Sequence, residues 1–162
     1  MKYSGIIVLA IIATFLSNSS AVAQTNPTPY KQFGIGVGTR GAEFVYAFSS
    51  SIQFGSYLGM RLGNGETTVT FTPNLRFLFE GSVNMFLQPG LSFASSSTTR
   101  NGVTESSSST SVLLDGGLVY YIKPSFGVIG SIKVLDLGLG ENSVTKFGVY
   151  GGDLGIEWFF NP

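Results

Sequence analysis

From Phe33 to Phe160, apolar side chains recur at every second position with few interruptions. A period of two marks strands whose two faces meet different surroundings, and no useful length of chain shows the 3.6-residue period of a helix. The alternation predicts eight strands, at 33–39, 42–48, 52–62, 68–79, 83–94, 111–122, 126–137 and 146–160. In the first, Phe33, Ile35 and Val37 share one face and Gly34, Gly36 and Gly38 the other. In the fourth, Val69, Phe71, Pro73, Leu75, Phe77 and Phe79 oppose Thr70, Thr72, Asn74, Arg76 and Leu78. In the last, Phe147 and Val149 are out of phase with Leu154, Ile156, Trp158 and Phe160, and Gly151-Gly152 is where a bulge would restore the phase.

The connections differ in length. Those at 49–51, 80–82 and 123–125 are tight, those at 63–67, 95–110 and 138–145 longer, and the link at 39–41 is short where a long one is expected. Tight turns at one end, loops at the other and an even strand count predict an antiparallel up-and-down barrel with both termini at the tight-turn end. Within 95–111 (SSSTTRNGVTESSSSTS), Asn101-Gly102 is a type I′ hairpin signal. The fifth and sixth strands therefore either continue as a polar hairpin or are joined by a low-complexity loop.

Alternation alone does not say which face is buried, since a soluble barrel would turn its phenylalanines inward. The second face decides. It carries Gly34, Gly36, Gly38, Val45, Ala47, Leu78, Val119 and Ile129 with few charges, where a water-facing surface is about 25–35% charged. Such a face suits the narrow lumen of a small barrel. The opposite face then meets lipid, with Phe33, Phe48, Phe79, Tyr120, Phe126, Trp158 and Phe160 as an aromatic girdle near the tight turns.

The N-terminus supports export. Lys2 is followed by the apolar run 5–16, and Ala21-Val22-Ala23 is an A-x-A cleavage site before Gln24. The run falls short of the roughly 20 apolar residues of a spanning helix. The chain thus divides into a signal peptide (1–23), a periplasmic leader (24–32) and a transmembrane β-barrel (33–162). Cleavage leaves 8 basic and 9 acidic residues, so no cationic surplus exists for nucleic acid. With Cys and His both at zero, thiolate metal sites and the commonest general base are missing, no acidic cluster has cation-site spacing, and neither an enzyme nor a cofactor is expected.

The few inward charges are Glu43, Arg61, Arg76, Asp115, Lys133, Asp153 and Glu157, a set that could pair into a plug filling the lumen. About a turn centred on Pro124, Asp115 faces Lys133, which predicts an internal ion pair. About a turn centred on Gly81, Pro73 faces Pro89. Neither can donate to the ladder, so a tolerated kink or a weak point for lateral opening is expected there.

At the chain end, Asp153, Gly155, Trp158 and Phe160 have the polar-x-Gly-x-x-aromatic-x-aromatic spacing of the last strand of outer-membrane proteins. Over residues 30–160 the chain resembles the small OmpA/OmpX-type outer-membrane β-barrels. That resemblance implies that these four residues form the signal read by the barrel-assembly machinery. It also implies periplasmic chaperones as partners, an outer-membrane location in a Gram-negative cell, and protruding strands near 95–111 that contact an extracellular ligand or surface. A monomeric structural or surface-interaction protein, possessing a filled lumen, is expected. A narrow channel for ions or small hydrophobic molecules is the alternative.

Overall fold

The computed structural model describes residues 28–63, 65–100, 102–140 and 145–160. The segment expected as a signal peptide (1–23), residues 24–27 of the expected leader and Asn101 lie outside them. Eight strands follow one another: β1 (Gln32–Gly38), β2 (Gly41–Ala47), β3 (Ile52–Gly63), β4 (Glu66–Phe79), β5 (Asn84–Arg100), β6 (Val103–Lys123), β7 (Phe126–Leu139) and β8 (Thr145–Phe160). Each pairs antiparallel with its neighbour, and β8 returns to β1, so the sheet closes. Closure leaves no edge at the level where all eight strands run side by side, which is what a spanning sheet needs.

The strand faces sort as the alternation predicts. Phe33, Phe44, Phe54, Phe77, Ile156 and Trp158 are exposed on the outer wall, while Val45, Ala47, Leu78, Phe86, Val119, Tyr121, Ile129 and Phe159 pack together inside. Glycines on the inner face make room for these side chains. A Cβ at Gly34 would stand 2.8 Å from Val45 Cγ1 and 2.9 Å from Phe159 Cδ1.

Three local features depart from or refine the expectations. First, the Asn101-Gly102 signal produces a hairpin. Gly102 takes φ 78°, and Ser95 faces Ser108, Thr99 faces Thr104 and Arg100 faces Val103, so 95–100 and 103–110 are strand rather than loop. Second, the phase break in β8 is absorbed at Gly151 (φ 58°), opposite the register shift between Ile132 and Lys133. Third, Pro73 and Pro89 are not partners. The turn between β4 and β5 is one residue longer than predicted, because Gly81 N–H donates to Asn84 Oδ1 (3.1 Å) and holds Val83 out of the strand. Asn74 therefore faces Gly90 and Phe77 faces Leu87. On their other sides, Pro73 stands opposite Ser56 of β3, and Pro89 opposite Leu114 of β6.

Candidate functional site in the barrel lumen

The lumen is built in layers. At the tight-turn end lies the apolar cluster around Val45, Leu78, Phe86 and Phe159. Above it sits Arg76, on the inner face of β4 and 1% exposed. Its Nε donates to Gln88 Oε1 (2.8 Å), and Nη1 donates to Gln53 Oε1 (3.0 Å) and Glu157 Oε1 (2.5 Å). Nη2 donates to Glu43 Oε1 (2.9 Å) and Oε2 (3.1 Å). A guanidinium carries its N–H donors in a fixed fork, and here all three of its nitrogens donate. Four strands, β2, β3, β5 and β8, supply those acceptors. Gln53 Nε2 donates in turn to the Tyr121 hydroxyl (2.9 Å), and Arg76 lies 5.0 Å from the centre of the Phe86 ring. The ion pairs with Glu43 and Glu157 are withdrawn from water on both sides. A buried pair of this kind is strongly destabilising when one partner is removed, because the other charge is stranded.

A second cluster lies higher, around the turn joining β1 and β2. Thr39 Oγ1 donates to Asp153 Oδ1 (2.5 Å), and Arg40 N–H donates to the same oxygen (3.1 Å). The Arg40 side chain folds into the lumen, and Nη1 is paired with Asp115 Oδ2 on β6. Asp115 does stand opposite Lys133 in the ladder, as predicted, but the predicted ion pair is not formed. The ladder shifts between Leu114 and Asp115, and the Asp115 carboxylate turns to Arg40 instead.

Of the seven charges expected in one plug, Glu43, Arg76 and Glu157 come together. Asp115 and Asp153 belong to the higher cluster. Arg61 is exposed and Lys133 half-buried. Both line an open vestibule of ≈ 500 Å³ above the clusters and form no ion pair among the described residues. Sequence reasoning missed Arg40, because a turn residue has no face in an alternating pattern. It also passed over Gln53, Gln88 and Tyr121, which were legible as inward positions but carry no charge.

The terminal segment closes the barrel. Phe160 faces Phe33 and Trp158 faces Ile35 across the β1–β8 seam. Trp158 also meets Phe126 edge-on at 6.0 Å between ring centres. Both aromatics point outward and are exposed, whereas Asp153 points inward and is buried. Gly155 faces Gly38, where a Cβ would lie 2.9 Å from the Val37 carbonyl oxygen.

No protein-family model matches the sequence, and no curated relative does. Among solved structures, the N-terminal β-barrel domain of Pseudomonas aeruginosa OprF is similar, with a TM-score of 0.60 at 15% identity, over 80% of this chain and 94% of that one. The chain has the fold of that barrel domain. At this identity the likeness is one of architecture.

Proposed function

We propose that this chain is an outer-membrane β-barrel with a structural and surface-interaction role, inserted as a monomer by the barrel-assembly machinery after delivery by periplasmic chaperones. The apolar outer wall supports the membrane placement. In water it would leave Phe, Leu, Ile, Val and Trp side chains exposed all round the molecule, far beyond the few hundred Å² of contiguous apolar patch usual on a soluble protein. Trp158 and Phe160, with Asp153 and Gly155, are read as the terminal assembly signal.

The observation that carries the surface role is the height of β6. Its partner β7 is paired only up to Thr110, opposite Leu139, whereas β6 begins at Val103. Among the described residues, 103–109 therefore present a strand edge unpaired on the β7 side, polar and studded with serine. Such an edge offers backbone hydrogen bonds to an incoming strand of an extracellular protein or surface. The filled lumen supports a non-conducting and non-enzymatic reading. A narrow channel for ions or small hydrophobic molecules is the competing function. Planar-bilayer recording on refolded protein separates the two: silence is expected, and reproducible unitary conductance would reverse the order. Replacing 96–107 by a two-residue turn is expected to abolish surface binding while leaving the barrel folded.

A further inference from the structure

The barrel wall is uneven in height. β1 and β2 have 7 residues each, β3 has 12 and β8 has 16. Pairing between β2 and β3 stops at Leu58, and pairing between β1 and β8 stops at Gly155. Above those points, among the described residues, 59–63 of β3 pair with β4 alone and 145–153 of β8 with β7 alone, while the Leu154 carbonyl oxygen still accepts from Thr39 N–H (3.1 Å). A notch therefore stands over the Thr39-Arg40 turn, with a strand edge on each side that is unpaired among the described residues.

Its depth follows from strand geometry. Thr39 is six residues along from Phe33, which sits at the lower girdle. At ~3.3 Å per residue and a tilt of ~40°, the turn lies roughly 15 Å above the girdle, within an apolar band about 25 Å tall. The notch thus opens sideways in the outer leaflet, a position that rests on the membrane placement proposed above.

Two cavities meet there. The vestibule is lined by Arg40, Arg61 and Lys133, and also by Met60 and Gly152, which belong to the outward faces of their strands. On the outer wall, an apolar groove of ≈ 980 Å³ runs past Leu87, Gly116, Leu118, Gly130 and Leu154. Thr39 and Gly152 line both. Asp115 neutralises Arg40, but Arg40 Nη2 is buried without an acceptor. Arg61 and Lys133 have no carboxylate partner among the described residues. A cationic chamber continuous with an apolar trough is the complement of an anionic amphiphile. A dianionic head suits two unneutralised cations, and phosphate oxygens match the guanidinium fork.

We propose that the notch binds a phosphomonoester-bearing amphiphile of the outer leaflet, its head among Arg40, Arg61 and Lys133 and one chain along the outer groove. The test uses the refolded full-length chain in phosphatidylcholine nanodiscs, titrated with phosphatidic acid or with inorganic phosphate and read by intact-complex mass spectrometry. Retention of phosphatidic acid over phosphatidylcholine is expected. The double variant Arg61→Ala/Lys133→Ala should weaken it by about tenfold or more, the loss of charge-assisted hydrogen bonds. Gly152→Trp narrows the notch and has room, since a Cβ there meets nothing closer than Ser131 O at 3.9 Å. It should weaken the lipid and leave any phosphate binding unchanged. Equal retention of the two lipids, or an unchanged double variant, overturns the site. Inorganic phosphate binding as tightly as phosphatidic acid overturns the amphiphile and leaves a soluble anion. A heat-modifiability gel on each sample keeps the failures apart: an inserted barrel that ignores phosphatidic acid refutes the site alone, and a barrel that will not insert refutes the membrane placement with it.

Discussion

Arg40, in the turn between β1 and β2, reaches across the lumen to Asp115 on β6, and its side chain is 19% exposed against 4% for the aspartate. The contact ties the shortest hairpin of the barrel to one of its tallest strands. Arg40→Ala should strand a buried carboxylate and cost about 1–3 kcal/mol. Lys133→Ala, which breaks no ion pair, should stay within about 0.5 kcal/mol. Urea unfolding of the two variants in lipid vesicles checks the contrast.

Arg76 on β4 holds side chains of four other strands together across the lumen. Arg76→Met should cost about 3–5 kcal/mol, because Glu43 and Glu157 remain buried without a cation. Arg76→Lys should recover little of this, since an ammonium has three donors at one point and not five in a fork. The same urea titration measures both, and equal stability of wild type and Arg76→Lys would show that charge alone suffices.

The glycines of the inner wall are expected to differ sharply in tolerance. Gly34→Val would press on Val45 and Phe159 and should cost about 1–3 kcal/mol. Gly63→Ala meets nothing within 4 Å and should be neutral within about 0.5 kcal/mol.

Much of this was legible in the chain. The period of two fixed the eight strands and their faces, because a one-residue slip would turn Phe33 or Phe77 into the lumen and Arg76 into lipid. The break in phase points to Gly151-Gly152, and the bulge falls at the first of the two. Two kinds of feature were not legible. Turn geometry escaped, since the Asn84 side chain lengthens the turn at 80–83 and so parts Pro73 from Pro89. Partner choice escaped as well. Register sets which Cα atoms face each other, but a long side chain such as Arg40 chooses its carboxylate across the barrel, where no hairpin arithmetic reaches.

The seam between β8 and β1 gives a kinetic prediction. If Trp158 and Phe160 are read during assembly, Phe160→Ala should slow insertion and lower the yield of heat-modifiable protein. The folded product should unfold much as wild type does, because Phe160 is exposed in the finished barrel. Normal assembly kinetics would remove the terminal segment from that role.

With Arg76 and its partners filling the middle of the barrel, the phenylalanine face should meet lipid. The chain has one Trp, and Trp158 lies on the outer wall, 56% exposed. Its fluorescence should therefore be strongly quenched by brominated acyl chains in vesicles holding the refolded protein, and be nearly insensitive to iodide in the water. Strong iodide quenching with no effect of brominated lipid would place that face in water and rule out a membrane-spanning barrel.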